Sequence, residues 1–210
     1  MLRNVPRIAG FSSIPEGDIK MNLYFRLIWI ISRSFFKPKI DFSDKIVLNL
    51  RILPNDLDIN RHLNNGRYLT ILDLGSIDLF LRSGILFRAV RNGLRPMIGG
   101  LIVTYRRGLS LFERYTLAMQ LEAWDGRWNY FKFEFKKLNG QLSAAGYFKG
   151  ALVSKNGLIP NNTADKIFGF KRGSCVLPPA VENWIKAENH ISGESIGQNR
   201  HPQKNLAVVS

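Results

Sequence analysis

Alternation of apolar and polar residues predicts one β-strand before a long apolar segment and four β-strands after it. Between residues 45 and 53 every second position is apolar, which is typical of a half-buried strand. The clearest alternation lies in residues 128–137, where phenylalanines alternate with charged residues. Three further strands are predicted at residues 96–107, 113–124 and 141–154.

Two short turns connect the last three of these strands. Asp125-Gly126 separates one pair, and Asn139-Gly140 separates the next. Asp-Gly and Asn-Gly between alternating segments are strong hairpin signals, because both residues tolerate the positive φ of a type I′ turn. The end of the predicted sheet is therefore an antiparallel meander.

Residues 64–83 between the first and second strands predict one long helix. Asn64 or Asn65 can cap its N-terminus, and Gly84 can end it. Apolar residues surround most of its circumference, as in a helix that is buried on several sides. Residues 85–95 are basic and predict one or two more helical turns. The strand order suggests a curved antiparallel sheet wrapped around the long helix, which is an α+β architecture.

The two ends of the chain carry weaker patterns. Residues 1–20 are interpreted as a leader, and residues 21–36 as an apolar and aromatic segment too short to cross a membrane. Two interpretations of that segment stay open. It is either an amphipathic helix on a membrane surface, or a helix packed on the protein core or a partner subunit. In the first case four cations face lipid phosphates; these are Arg26, Arg33, Lys37 and Lys39.

The predicted organisation is a leader and apolar segment at residues 1–40, one domain at residues 41–170 and an extension at residues 171–210. Residues 160–163 are expected to form a loop. Pro178-Pro179 is expected to start a short helix that runs to Ile185, and the tail from Ser192 is expected to be mobile.

Composition narrows the function mainly through charge. The chain has 30 Lys and Arg residues against 16 Asp and Glu residues, a formal net charge of +14. Such a surplus suggests a polyanionic partner, namely nucleic acid, anionic lipid or a small molecule that carries phosphate. The single cysteine, Cys175, excludes a disulfide framework, and three histidines leave little material for a metal centre.

The loop before the long helix carries the most specific motif. Residues 58–68 read D-I-N-R-H-L-N-N-G-R-Y. This closely resembles the D-x-N-x-H-x-N-N-x-x-Y signature of the hotdog thioesterases related to 4-hydroxybenzoyl-CoA thioesterase. The resemblance covers residues 42–155, and it includes a Tyr-Arg-Arg strand at residues 105–107 and a Trp-Asp turn at residues 124–125.

The resemblance implies a hotdog fold and roles for individual residues. Asp58 corresponds to the catalytic acid of the family, with His62 and Asn60 as its catalytic companions. The remaining positions of the motif and the two arginines are implied to bind substrate, and these are Asn64, Asn65, Gly66, Tyr68, Arg106 and Arg107.

Thioester hydrolysis requires the chemistry that these residues offer. A carboxylate can activate water or attack the carbonyl directly, and backbone N–H groups at a helix N-terminus can stabilise the oxyanion. Gly66 would let the ligand approach the backbone closely. His62 can orient Asp58 or donate to the thioester oxygen, and Asn60 can position water.

Each of these residues also has a structural interpretation. Asp58 can brace a turn, His62 can anchor the loop, Asn64 can serve only as the helix cap, and Tyr68 can be part of the core. Arg106 and Arg107 either bind coenzyme A phosphates or are solvated strand charges. Related plant acyl-carrier-protein thioesterases use a further carboxylate downstream, for which Glu113 and Glu122 are the nearest options.

The sequence therefore predicts a hydrolase of acyl-CoA or acyl-carrier-protein thioesters, with a role in fatty acid metabolism. It needs no cofactor or metal and acts as a homodimer or higher homo-oligomer. The expected location is the cytoplasm, with peripheral membrane contact. The alternative is a non-catalytic hotdog protein that binds acyl-CoA or lipid at a membrane. Nucleic acid is disfavoured, because the charges are scattered and no nucleic-acid motif accompanies them.

Overall fold

The computed structural model describes residues 16–193, and the side chains from Leu23 onward. Within that range the chain forms five α-helices and one six-stranded antiparallel sheet. The helices are α1 (Glu16–Phe36), α2 (Asn65–Arg82), α3 (Ile85–Arg91), α4 (Asn161–Phe168) and α5 (Pro179–Ser192). The strands are β1 (Ile46–Arg51), β2 (Arg95–Tyr105), β3 (Arg114–Trp124), β4 (Asn129–Lys137), β5 (Leu142–Ser154) and β6 (Gly157–Ile159).

The sheet has the order β1-β3-β4-β5-β2, and the short β6 pairs with the end of β5. The two predicted hairpins, β3–β4 and β4–β5, are present. Strand β2 pairs only with β5, and so it forms an edge of the sheet that is eleven residues long. A bulge opposite Phe135 and Lys136 shifts the register at the start of β5, and from Ala144 to Gly150 the pairing with β4 is regular.

Helix α2 lies against the inner face of the sheet. At Gly75 a Cβ atom would be 2.5 Å from Sδ of Met119 and 3.0 Å from Cδ2 of Leu117, and so glycine permits the close approach of α2 to β3. Apolar residues of α2 and of the inner strand faces form one core. This arrangement confirms the expected hotdog fold, in which a curved sheet surrounds a long central helix.

Helix α1 packs on α2 through one face. Ile30 is buried in the main core, and the Oγ atom of Ser34 donates a hydrogen bond to Asp78 at 2.7 Å. The opposite face of α1 exposes a set of large apolar residues, namely Tyr24, Phe25, Ile28, Trp29, Phe35 and Phe36. Packing on the protein core thus accounts for one face of this helix only.

Two cations of this segment do not face outward as the membrane interpretation expected. Arg26 forms an ion pair with Asp56, and Lys37 forms one with Asp78 at 3.1 Å. Their assignment to lipid phosphates was therefore wrong. Helix α1 also begins within the predicted leader, whose residues 1–15 lie outside the described range. Within residues 16–193 no helix is long and apolar enough to cross a bilayer.

The loop expected at residues 160–163 is wrong, because α4 begins at Asn161. Ala164 and Phe168, one helical turn apart, are buried in a second cluster together with Ile85 and Ala89 of α3. A helix of eight residues depends on such tertiary packing, since isolated short helices are marginal in water.

Helix α5 covers the outer face of the sheet. Val181 and Trp184 pack against Ala123 of β3 and Tyr130 of β4. The buried Nζ atom of Lys149 forms an ion pair with Glu188 of α5, and it lies 5.7 Å from the ring centroid of Trp184. The helix runs to Ser192 rather than ending near Ile185, because its length is stabilised by these contacts. Residues 194–210, which include most of the predicted tail, lie outside the described range.

Candidate functional site

The motif loop turns tightly around the side chain of Asp58. Its Oδ1 atom accepts hydrogen bonds from the backbone N–H groups of Asn60 at 2.8 Å and of His62 at 3.2 Å. Its own N–H donates to the carbonyl of His62 at 2.8 Å. Arg61 adopts a left-handed φ of 61° to complete the turn. Asp58 therefore does brace the turn, but only one carboxylate oxygen takes part in these bonds.

Asp56 fixes the same loop from below. Its buried carboxylate accepts the N–H of Leu53 at 2.8 Å and binds both terminal nitrogens of Arg26, at 3.1 and 2.6 Å. The carbonyl of Asp56 accepts the N–H of Asn64 at 2.8 Å, which joins this turn to the start of α2. No sequence signal points to Arg26, because thirty residues separate it from Asp56 and no periodic pattern links them.

Asn64 is the N-cap of α2, as its structural interpretation expected. Its Oδ1 atom accepts the N–H of Gly66 at 2.8 Å, and its carbonyl accepts the N–H of Arg67 at 2.8 Å. The N–H of Gly66 is therefore engaged by the cap of its own helix. The N–H of Asn65 has no acceptor within the described residues, which leaves it as the open donor at this helix terminus.

His62 lies on the surface beside residues 106–113. Its ring packs on Gly108, where a Cβ atom would be 2.5 Å from the Cδ2 atom of His62. A β-bridge pairs His62 with Ser110, and the N–H of Leu63 donates to the carbonyl of Leu109 at 2.8 Å. The side chain of Asn60 is exposed and makes no hydrogen bond within residues 16–193. Both polar groups therefore face solvent near Asp58.

Neither proposed downstream carboxylate is placed to act as a second base. Glu113 accepts hydrogen bonds from the N–H of Ser110 at 2.9 Å and from Lys137 at 3.1 Å. Partial burial raises the pKa of Glu113, but these two bonds and the nearby His62 outweigh it and hold the pKa below its ordinary value. The carboxylate is thus ionised and occupied.

Glu122 lies on the outer face of β3, away from the motif. There, burial and a hydrogen bond with Glu122 raise the pKa of Tyr147 to about 12. Glu122 therefore interacts with Tyr147 on the outer face of the sheet, the face on which α5 also packs.

Tyr68 is buried beneath the loop. Its hydroxyl lies 2.8 Å from the Oγ atom of Ser143, which in turn donates to the carbonyl of Arg107 at 2.8 Å. Burial raises the pKa of Tyr68 above its ordinary value. The structure thus places Tyr68 in the core, where it links α2 to the end of β2 and does not line an exposed surface.

Arg106 and Arg107 follow β2 and are exposed. Their backbone N–H groups both donate to the carbonyl of Ser143, at 2.7 and 3.1 Å. Their guanidinium groups form no ion pair within the described residues. The neighbouring Tyr105 hydroxyl donates to the carbonyl of Asn65 at 3.1 Å, so that the two arginines follow a strand tied to the start of α2.

Within the described residues, the motif loop, the start of α2 and the end of β2 thus offer a carboxylate, a helix N–H without an acceptor and two cations without an ion pair. Across residues 16–193 no group of three His, Cys, Asp or Glu side chains is suited to hold a metal ion.

Comparisons with known proteins concern the family and the fold. The family model described as "Thioesterase-like superfamily" matches residues 52–185. Protein THEM6 of Xenopus laevis is 34% identical over 146 residues, which cover 67% of this chain and 67% of that protein. Among solved structures, YbaW, a probable thioesterase from Escherichia coli, is similar with a TM-score of 0.55 at 18% identity. That match covers 58% of this chain and 95% of YbaW.

A second solved structure was determined with a ligand. SAV2348, a hypothetical protein from Staphylococcus aureus in complex with CoA, is similar with a TM-score of 0.52 at 12% identity. The match covers 69% of this chain and 96% of SAV2348. At these identities the two solved structures show a shared fold.

Proposed function

This chain belongs to the thioesterase-like superfamily, and on that premise we propose that it hydrolyses acyl thioesters with Asp58 as the general base or the nucleophile. The observation that carries the proposal is the half-occupied carboxylate of Asp58. Two backbone N–H groups fix Oδ1, and Oδ2 takes no part in bracing the turn. A carboxylate held in this way is oriented without being neutralised by a cation.

In the general-base route Asp58 removes a proton from water, and the resulting hydroxide attacks the thioester carbonyl. The oxyanion accepts a hydrogen bond from the N–H of Asn65 and is stabilised by the positive end of the α2 dipole. Collapse of the intermediate breaks the C–S bond, and the proton passes to the departing thiolate. Asn60 positions the water, and His62 orients Asp58 or donates to the carbonyl oxygen.

Coenzyme A is the carrier that we propose for the acyl group, with an acyl carrier protein as the alternative. Arg106 and Arg107 have no carboxylate partner in the described structure, and a guanidinium binds phosphate well. The net charge of +14 favours the same phosphate-rich ligand. The structurally similar SAV2348 was determined in complex with CoA, which supports this choice.

A second copy of the chain is the partner that we propose. Strand β2 is a long edge, and Met97 and Ile98 on it are exposed, as is Ile59 of the motif loop. Long apolar edges attract another strand. Sedimentation velocity should therefore give twice the chain mass of 24.0 kDa. A mass of one chain at micromolar concentration contradicts the dimer.

The hydrolysis is tested with Asp58→Asn and Asp58→Ala against acyl-CoA substrates from short to long chains. Asparagine keeps an oxygen that can accept the two turn hydrogen bonds but cannot act as a base. We expect Asp58→Asn to lose thiol release while it keeps the wild-type Tm, and Asp58→Ala to lose both. A suitable control is Asp44→Asn, since Asp44 also braces a local turn by accepting the N–H of Asp41. Undiminished thiol release by Asp58→Asn would exclude Asp58 as the general base or the nucleophile.

The exposed face of α1 favours a second candidate, a non-catalytic protein that binds acyl-CoA or lipid at a membrane surface facing the cytoplasm. Its aromatic residues are of the kind that enter a membrane interface. Arg33 and Lys39 form no ion pair within the described residues. The helix then lies in the interface plane.

Vesicle co-sedimentation separates the two candidates. We expect Phe25→Ser combined with Trp29→Ser to reduce binding to vesicles of phosphatidylcholine and phosphatidylserine. Ile191→Ser removes a still more exposed apolar residue, from α5, and should bind as wild type. Binding unaffected by the α1 variants contradicts membrane docking, and thiol release that depends on Asp58 contradicts a purely non-catalytic role.

A further inference from the structure

A cavity of about 480 Å³ lies beside the C-terminal half of α2. The inner faces of β4 and β5, the start of β2 and helix α4 enclose it. Its volume falls in the range of small-molecule sites. Six phenylalanines line it, and these are Phe42, Phe80, Phe131, Phe148, Phe168 and Phe170. No residue of the D-x-N-x-H motif lines this cavity.

Most polar groups of the cavity wall are satisfied within the protein. The Nδ2 atom of Asn129 donates to Asn161 at 3.0 Å, and Asn129 accepts a hydrogen bond from Arg172. The Oγ atom of Ser76 donates to the carbonyl of Leu72 at 3.1 Å. These groups do not need a ligand, and so the cavity recognises apolar surface.

Asp73 is the exception in this wall. It lies on α2 with its side chain exposed, and it forms no hydrogen bond or ion pair within the described residues. Apolar surroundings also raise its pKa above the ordinary value. A lone carboxylate beside an apolar cavity repels an anion and leaves an uncharged chain unaffected.

One face of α2 connects this cavity to the motif. Asp73 and Phe80 lie seven residues apart on that face, and seven residues before Asp73 stands Gly66, in the first turn of the helix. At a rise of 1.5 Å per residue, the helix start is about 10 Å from Asp73. Strand β2 runs beside it, because Tyr105 contacts Asn65 while Met97 lines the cavity.

We propose that this cavity binds the distal part of the acyl chain and selects long, uncharged acyl groups, with Asp73 excluding chains that end in a carboxylate. The inference rests on the proposed hydrolysis at Asp58. A thioester carbonyl at the N-terminus of α2 must extend its chain about 10 Å along the helix before it reaches the phenylalanines. An acetyl group does not reach the cavity, whereas a dodecanoyl group does.

Two variants reduce the cavity from different elements. At Gly150 on β5 a Cβ atom meets only ordinary contacts, with 3.7 Å to Phe131 as the nearest ring, and Gly150→Val adds apolar volume from that position. Ser76→Leu adds apolar volume from α2 and provides a second variant if the first fails to fold. Ala145→Val is the control, since Ala145 lies on the same strand but faces the opposite side.

The probes are S-alkyl coenzyme A thioethers, which have no carbonyl to hydrolyse, titrated by calorimetry. Each buried methylene changes the affinity about fourfold, and so displacement of two should weaken S-dodecyl-CoA binding more than tenfold. S-ethyl-CoA should bind all variants within twofold of wild type, and Ala145→Val should change neither affinity. Equal affinity of wild type and both cavity variants for S-dodecyl-CoA overturns the proposal, as does the absence of binding.

The role of Asp73 has its own probe. S-(11-carboxyundecyl)-CoA should bind wild type at least tenfold more weakly than S-dodecyl-CoA, and Asp73→Asn should narrow that difference. If Asp73→Asn leaves the difference in affinity between the two probes unchanged, Asp73 does not exclude chains that end in a carboxylate. If the cavity variants weaken S-dodecyl-CoA binding but the wild type releases no thiol from acyl-CoA, the proposed hydrolysis is refuted and the proposed acyl site stands. Thiol release whose chain-length preference ignores Gly150→Val refutes the acyl site and keeps the hydrolysis.

Discussion

Arg26 of α1 binds both carboxylate oxygens of Asp56, two residues before Asp58 in the motif loop. A third hydrogen bond runs from Arg26 to the carbonyl of Arg51 at 3.0 Å, where β1 ends. The N-terminal helix is therefore not an appendage of the hotdog domain. It supplies the cation that compensates a buried charge directly beneath the candidate catalytic turn.

Removal of this cation should affect both stability and activity. We expect Arg26→Ala to lower the free energy of unfolding by about 3 kcal/mol, because it leaves the Asp56 carboxylate buried without a cation. Thiol release should fall in kcat more than in KM, since the turn that holds Asp58 loosens. Urea unfolding and steady-state kinetics measure the two effects.

Arg33→Ala is the matched control for that prediction. Arg33 lies on the same helix, stacks 5.0 Å from the ring centroid of Trp29 and forms no ion pair within the described chain. Its loss should change stability by less than about 0.5 kcal/mol. If Arg26→Ala is no more destabilising than Arg33→Ala, the ion pair does not hold the loop.

Tyr115 on β3 predicts a stabilising substitution. Its hydroxyl is fully buried and has no hydrogen-bond partner within the described residues, and burial raises its pKa. Tyr115→Phe should raise the free energy of unfolding by about 1 kcal/mol, because it removes a donor that folding leaves unsatisfied. Urea denaturation at pH 7 measures the change.

Tyr130 provides the opposite case on the adjacent strand. Its hydroxyl donates to Asp125 at 2.7 Å, and so Tyr130→Phe should lower stability by about 1 kcal/mol. Destabilisation by Tyr115→Phe of the same size would mean that the Tyr115 hydroxyl has a partner after all.

Gly108 sets the position of His62. A side chain at residue 108 would collide with the imidazole, and so Gly108→Ala should displace His62 and reduce thiol release. In a double-mutant cycle, Gly108→Ala should cost stability in the wild type and almost nothing in the His62→Ala background. Gly126→Ala, where no atom lies within 4 Å of the new Cβ, is the neutral control. An equal cost of Gly108→Ala in both backgrounds would assign its effect to the backbone.

Asp73 predicts a pH dependence with a defined sign. Because its folded pKa is raised, its contribution to stability is present in acid and is lost as the pH rises through that folded pKa. Asp73→Asn should therefore match wild type near pH 3 and become the more stable protein as the pH increases. Thermal unfolding across the acid range measures the difference between the two proteins.

Glu134 is the control of opposite sign. A hydrogen bond from Lys136 lowers the pKa of Glu134, so its contribution to stability is present above the ordinary carboxyl pKa and is lost in acid. Glu134→Gln should lose stability relative to wild type as the pH rises. If the stability differences of Asp73→Asn and Glu134→Gln from wild type change with pH in the same direction, burial does not raise the pKa of Asp73.

Much of the sheet and the central helix could be predicted, because burial on one face produces a period of two and burial on several sides produces a long apolar helix. The β4 phenylalanines illustrate the first case, since all three of them face inward and are buried. The turn between β4 and β5 was predictable for a local reason, the positive φ at Gly140.

The elements that the sequence did not predict depend on distant contacts. Helix α4 forms because Ala164 and Phe168 meet α3. The different states of the Asn65 and Gly66 N–H groups follow from the cap, because the side chain of Asn64 accepts the N–H of Gly66 and not that of Asn65. The motif itself located the loop and the helix terminus, but its sequence carries no information about Arg26 or the phenylalanine cavity.

The position of α5 restricts how copies of this protein can associate. Its residues Val181 and Trp184 occupy the outer surface of β3 and β4, and Glu188 holds Lys149 of β5 against the same helix. Two protomers therefore cannot stack these strands back to back unless the helix first leaves. Any association of copies must instead use the sheet edges or the helical side, and so α5 restricts the surfaces that are open to assembly.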